Sequence, residues 1–382
     1  MSPEINNSEN VLDLESQLLN NVNVTDFPNI PKDMLDKTKP YPKKYDLLKT
    51  NLSSKHDLVG IMSILCSLEQ EIKNNTISDE LYDKVILLNK HGKSHVESVI
   101  AHASDLAKCI DEKNKLSPFE IFILLCAIQI HDIGNMYGRD EHTTSFERDF
   151  IKSAKQSFIT DPVLIKCILN IAKVHGGKVK GNSDTIGAAG LRYEITLLRM
   201  DIRQRLLAAI LRFADELADD NTRSLEIDDI SKIPEYSRIY HAYSNSLHNV
   251  KIEKIERENV YFVKLGYYMT IKDAFCIYKK LKKENDGSCI SISLPLIREI
   301  IERTKKMERE RRYCSHHFLP YIMLKHIFVE IEMEVGGFES PKRIIYTLQE
   351  TGYPGEEIEM SPTVEDDIAK LEKEYKMTGA VK

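Results

Sequence analysis

From His56 onward, apolar residues recur at three- and four-residue spacing, which predicts helices near 57–73, 79–90, 93–112, 118–132, 142–157, 161–174 and 199–219. Start signals fit these positions: Ser78 before Asp79 and Glu80, Ser117 before Pro118, and Asp161 before Pro162. Gly134, Gly176 and Gly177 supply stops. One segment stands apart. Phe119 to Ile130 reads FEIFILLCAIQI, apolar on nearly every face, so this helix belongs in the middle of the core. Past about residue 246 the texture changes: VKIEKI, VYFVKLGY and CISISL alternate or are β-rich, and Asp286-Gly287 marks a turn, so a small sheet is expected. Ile297 to Arg312 reads as a charged helix, LPYIMLKHIFVEIEME as an apolar one, and Ser340-Pro341 as the opening of a third.

The ends are less regular. Residues 1–45 are rich in Asn and Asp and then in Pro, which predicts an irregular arm with at most one short helix; residues 353–382 read as an acidic tail. The predicted architecture is mainly α: a helical domain over 46–245, and an α+β C-terminal extension over 246–352 with a small sheet and further helices. No internal repeat or low-complexity tract is present.

Composition narrows the function classes. With 42% hydrophobic and 29% charged residues among 382, the chain has the make-up of a globular protein with a large interior. A net charge of −6 would not draw a long polyanion to the surface, so nucleic acid, though not ruled out, is disfavoured as a partner. Seven scattered cysteines without a Cys-x-x-Cys pair fit a reduced, cytoplasmic setting. The N-terminus has no signal-peptide pattern and the longest apolar run is too short to span a bilayer, so no membrane role is expected. Neither GxxxxGK[ST] nor a Gly-rich dinucleotide fingerprint occurs, which argues against a motor or a redox enzyme.

The candidate chemistry starts where the apolar helix ends, in His131-Asp132. An imidazole and a carboxylate at the end of a buried helix cost several kcal/mol of desolvation unless paired, hydrogen-bonded or bound to a metal. Asp215 lies seven residues after Ala208 and four after Leu211, on the apolar face of its helix. His95 shares a stripe with Val99, His102 and Leu106. Three helices thus each bring ligand-type side chains inward, and a mixed N/O set suits Mn, Fe, Ni or Zn, with Mg left open.

The order His95, His131-Asp132, Asp215 resembles the HD superfamily of metal-dependent phosphohydrolases. The surrounding words agree: His91-Gly92-Lys93-Ser94-His95 with Val99, Ile130-His131-Asp132-Ile133-Gly134, and Leu211 to Leu217 with Arg223. The likeness covers about residues 85–225, and the strand-bearing region is loosely similar to the C-terminal extensions of some HD proteins. The resemblance implies one or two divalent ions, with Asp132 the candidate bridge, and a nucleotide substrate: a deoxynucleoside triphosphate, a cyclic nucleotide, an alarmone or a single strand. It also implies that His142 and His175, between the His-Asp pair and Asp215, bind a second ion or act as acid and phosphate contacts. Their bland alternatives are a solvated helix start and a helix C-terminal residue favoured by the macrodipole. Lys93, Lys178, Lys180 and Arg223 are candidate phosphate contacts, Arg212 and Lys173 weaker ones, and His91 a loop residue or a substrate contact.

The expected reaction is hydrolysis of a phosphoester, a (deoxy)nucleoside triphosphate first among substrates, with His142 or His175 protonating the leaving group. Rival readings are an HD-type phosphodiesterase, a nuclease, and a nucleotide sensor without activity. Homo-oligomerisation is left open. His102, His241, His248, His316, His317 and His326 are assigned structural or surface roles, and 302–312 (ERTKKMERERR) an exposed, ion-paired helix face.

Overall fold

The computed structural model describes residues 13–19, 32–73, 92–134, 147–179, 181–219, 235–255, 257–258, 260–283, 289–336, 340–349, 358 and 360–377, with the side chains of the second half of the long helix 41–73 left aside. The chain is mainly α with a β-containing C-terminal part. Its N-terminal helices are α1 (Leu14–Leu19), α2 (Lys32–Thr38), α3 (Tyr41–Lys73), α4 (Lys93–Lys108), α5 (Pro118–Ile130), α6 (Glu147–Gln156), α7 (Pro162–Lys173) and the short α8 (Thr185–Ala188). A hairpin of β1 (Ile195–Leu197) and β2 (Met200–Ile202) leads into α9 (Gln204–Leu217).

Every residue of α5 is buried, and α1, α2, α3, α4, α7 and α9 all pack against it. This is the outcome expected of a helix without a polar face, since apolar burial at about 25 cal/mol per Å² rewards enclosure on all sides. Its start is fixed by a capping box: Ser117 Oγ accepts from Glu120 N and Glu120 Oε2 accepts from Ser117 N. Glu120 also accepts from the backbone N and the guanidinium of Arg203, the residue preceding α9, at 2.7–3.1 Å. The two helices that carry His131-Asp132 and Asp215 are therefore pinned at their N-terminal ends. Asp161 caps α7 by accepting from Val163 N and Leu164 N.

After a 3₁₀ turn (Glu235–Ser237) and α10 (Arg238–Ser246) come β3 (Leu247–Ile255), β4 (Val260–Thr270), the short α11 (Ile271–Ala274), β5 (Ile277–Lys283), β6 (Cys289–Pro295), α12 (Leu296–Phe318), β7 (Leu324–Glu334), β8 (Lys342–Gln349) and α13 (Pro362–Met377). The main sheet runs β3-β4-β7-β8, antiparallel at both edges and parallel between β4 and β7; β5 and β6 form a separate antiparallel pair. In the register Val263↔Ile327, Leu265↔Val329, Tyr267↔Ile331 and Met269↔Met333, every one of these side chains is buried. The connection between the parallel strands carries α12, which packs on β7 and β8 with one face and on α9 with another.

Four expectations need correction. The segment 324–334 is a strand: Val329, Ile331 and Met333 alternate with Glu330, Glu332 and Glu334, and this period of two matches a sheet with one buried face. Ser340-Pro341 precedes strand β8 instead of a helix. The N-terminal arm holds two short helices and the start of α3, with Leu14, Leu18, Tyr41 and Tyr45 in the core; Tyr41 stacks on Phe119 and Phe122 with ring centroids 5.1 and 4.5 Å apart. The acidic tail contains α13, whose Val364, Ile368, Leu371 and Tyr375 are buried. The expected helix at 79–90 and the Asp286-Gly287 turn lie outside the described residues.

The charged helix α12 is also less solvated than expected, because it is covered on two sides. Glu308, Arg311 and Arg312 are buried, both guanidiniums donate to the Glu308 carboxylate, and Arg311 Nη1 donates to Leu324 O at 2.6 Å. Toward α9, Arg212 pairs with Glu310 and Lys306 with Glu216, both at 2.7 Å, and Arg303 pairs with Asp219.

Candidate metal centre

α4, α5 and α9 converge so that His95, His131, Asp132 and Asp215 each offer one ligand atom, all within 4.8 Å of one another. His95 Nε2 lies 3.1 Å from Asp215 Oδ1 and 3.4 Å from Asp132 Oδ2. His131 Nε2 lies 3.6 and 3.5 Å from the same two oxygens. Both imidazoles are fully enclosed, whereas Asp132 and Asp215 keep 14% and 24% of their side-chain surface open. The nitrogens form the floor and the carboxylates the solvent-facing rim.

The ring orientations suit ligation. His131 Nδ1 donates to Ile128 O at 2.7 Å, which turns Nε2 toward the carboxylates, where it is buried without a hydrogen-bond partner. Leaving such an atom unmade costs about 1–3 kcal/mol. Burial works against a proton on His131, but Asp132, Asp215 and the Ile128 carbonyl outweigh it and raise its pKa to about 9. Burial likewise disfavours the charge on Asp215, yet the two imidazoles hold its carboxyl well below the usual range. An orphaned buried nitrogen between two carboxylates, with a second imidazole beside it, is a donor set that a divalent ion completes, so the residues fit a metal.

His175, just past the end of α7, belongs with this group. Its Nδ1 donates to Ala172 O at 2.6 Å, its Nε2 faces Asp132 Oδ1 at 3.7 Å, and its ring lies edge-on to His131 with centroids 5.0 Å apart. It is buried, not on an open rim, and burial followed by the neighbouring His131 lowers its pKa. Asp132 thus turns Oδ2 to His95 and His131 and Oδ1 to His175, the disposition of a carboxylate able to span two ions.

Of the remaining candidates, His142, Lys180, Arg223 and also His91 lie outside the described residues. Lys93 and Lys178 are exposed. Lys173 is bound to Glu147, and Arg212 is buried between Glu310 and Thr185, so neither is directed to a ligand. His56 carries a role the sequence did not suggest: it is buried with Nε2 2.8 Å from Gln129 O, and burial lowers its pKa. With Lys49, Lys93, Glu97 and Gln129 it lines a cavity of about 440 Å³ flanked by the segments that carry His95 and His131.

Residues 79–264 match the HD-CE family model. The match and the cluster together indicate an HD-like domain. The matched segment takes in α4 through α9 and continues through β3 into β4. No curated protein and no solved structure matches the chain. Among the described residues, no helix is long and apolar enough to cross a membrane.

Proposed function

We propose that the protein is a metal-dependent phosphohydrolase that acts on a nucleotide, a (deoxy)nucleoside triphosphate first. The observation that carries this reading is the buried, unpartnered Nε2 of His131 set among the donor atoms of His95, Asp132 and Asp215. These four residues would hold a divalent ion, which when bound supplies Lewis acidity toward water and toward a phosphoryl oxygen. The chain supplies the proton transfers. His175 donates its Nδ1–H to Ala172 and is kept neutral by burial, so its Nε2 accepts a proton in the resting state. It can take a proton from water at Nε2 and return it to the leaving oxygen, serving as base and then as acid. Lys93 and Lys178 would meet the substrate phosphates, and the cavity beside His56 offers volume in the range of small-molecule sites.

Chromatography of the reaction products, with phosphate release measured alongside, tests the reading, with the purified protein loaded in turn with Mn, Fe, Ni, Zn and Mg and given nucleoside and deoxynucleoside triphosphates, cyclic nucleotides and single strands. Metal-dependent release from triphosphates, lost in Asp132→Ala, is the expected result. Cleavage confined to cyclic nucleotides or single strands would replace the substrate assignment. Binding of nucleotides without any turnover in the metal-loaded protein would overturn the enzymatic one.

A further inference from the structure

The last turn of α9 is poorly served by its own sequence. It carries Asp215 and Glu216, with Asp219 just beyond its end at Leu217, and no basic residue. Carboxylates at that end face the negative pole of the helix dipole, and like charges so close along the chain repel. A metal ligand therefore stands on a helix end that its own charges destabilise.

The compensating charges come from α12, more than eighty residues later. Arg212, Glu216 and Asp219 follow one another at spacings of four and three, and Glu310, Lys306 and Arg303 do the same on α12 in the opposite direction. Each meets its partner: Arg212 Nη2 donates to Glu310 Oε2 and Lys306 Nζ to Glu216 Oε2, both at 2.7 Å, and Arg303 pairs with Asp219. The order is positive, negative, negative on one side and negative, positive, positive on the other. A slip of one turn in either direction sets a pair of like charges together, so the pairing fixes the register of the two helices. At about 100° per residue, Asp215 stands about 60° round α9 from Arg212 and borders the paired stripe.

Arg303 is the best-held of the α12 cations. Its side chain is 20% exposed, its Nε donates to Glu299 Oε1 at 3.0 Å, and its guanidinium lies over the Tyr240 and Tyr243 rings of α10, 5.1 and 4.7 Å from their centroids. Glu299, fully enclosed, also accepts from Lys280 Nζ of β5 at 2.7 Å. The clamp on Asp219 is thus built from α10, α12 and β5, none of which carries a ligand of the metal centre. Lys306 is 56% exposed, and a pair of that kind contributes less.

We propose that Arg303 and Lys306 are positioning residues of the metal centre, so that the C-terminal part completes the site by holding the end of α9 on which Asp215 stands. The inference rests on the metal reading of the four-residue cluster. Its signature is the sign of one effect. Removing a cation near a divalent site tightens the ion through the field alone. Removing a positioning group does the reverse, because Asp215 leaves the place at which it ligates.

The test is manganese affinity of the full chain by titration calorimetry in Arg303→Gln, Arg303→Lys, Lys306→Gln and Lys305→Gln. Lys305→Gln is the control of equal charge change, since that ammonium pairs with Glu302 on its own helix. Arg303→Gln should bind manganese at least about tenfold more weakly than the parent. Lys306→Gln should bind roughly two- to fivefold more weakly. Arg303→Lys should recover most of the loss, and Lys305→Gln should bind as the parent does or slightly more tightly. Hydrogen exchange of the metal-free chain adds a readout without an ion: the amides of the last turn of α9 should exchange faster in Arg303→Gln and at the parental rate in Lys305→Gln. Lys306 is largely exposed, so its variant reports even where Arg303→Gln disturbs the core. Affinity equal to or above the parent's in Lys306→Gln and in folded Arg303→Gln would overturn the positioning role and leave the four-ligand site standing. A parent that binds no manganese, with Asp132→Ala indistinguishable from it, would end the metal reading and this inference with it.

Discussion

Glu120 fastens the two helices on which the metal ligands ride, and its removal should be felt both in stability and in metal affinity. The carboxylate is 2% exposed and accepts from Ser117 N (2.9 Å), Arg203 N (3.1 Å), Arg203 Nε (2.8 Å) and Arg203 Nη2 (2.7 Å). Glu120→Ala deletes all four bonds and strands a guanidinium whose side chain is only 12% exposed. Breaking one side of a buried ion pair costs about 3–5 kcal/mol, and the lost half of the capping box about 1 kcal/mol. Arg203 keeps bonds to Asn114 O and Lys115 O and a stacking contact with Tyr321, so the lower part of that range, about 4 kcal/mol in total, is expected. Glu120→Gln retains the shape and some of the acceptance and should lose about half as much. Urea unfolding with a thermal melt measures both; at roughly 2–4 °C per kcal/mol, Glu120→Ala should melt about 10 °C lower. Because α5 and α9 then shift against each other, metal affinity should fall at least about tenfold. Loss of less than about 1 kcal/mol with parental metal affinity would refute the claim that this pair sets the register of the ligand helices.

Further predictions bear on the site itself. Asp132→Ala should lose hydrolysis and much of the bound metal while keeping the helical circular dichroism, since the carboxylate serves the site more than the core; full turnover in that variant would sink the mechanism. His142→Ala and His175→Ala separate two roles: lower metal content marks a ligand, whereas unchanged metal with turnover down by roughly 10²–10⁴ marks a proton-transfer group. For His175 the second outcome is expected, and unchanged values of both would make it a bystander. In the metal-free protein the pKa of His131 is raised from 6.5 to about 9, so its stabilisation is fully present below 6.5 and is lost as pH rises through 9. An ion binding at pH 7 must expel that proton, and titration calorimetry in buffers of different ionisation heat should show about one proton released per ion; none released would contradict the assignment of Nε2 as ligand.

The central cluster was legible because its signals are local: an all-apolar run ending in His131-Asp132, and helical stripes that turn His95 and Asp215 inward. Strand β7 was not, because Leu324, Ile327, Phe328 and Ile331 satisfy a helical spacing while Ile327, Val329, Ile331 and Met333 satisfy a strand's, and the parallel partner that decides between them lies some sixty residues earlier in β4. In α13 the stripe Val364, Ile368, Leu371, Tyr375 is present, but the acidic setting outweighed it in a composition-based reading. The pairing of Arg303, Lys306 and Glu310 with Asp219, Glu216 and Arg212 spans more than eighty residues and has no local pattern at all; only the packing of α12 against α9 brings it about.

The most direct test of the central claim is a crystal structure of the manganese-loaded protein with anomalous difference density recorded at the metal edge. A peak roughly 2.0–2.3 Å from His95 Nε2, His131 Nε2 and carboxylate oxygens of Asp132 and Asp215 is the predicted result. Density that leaves these four side chains bonded only to one another, with the ion elsewhere, would contradict it.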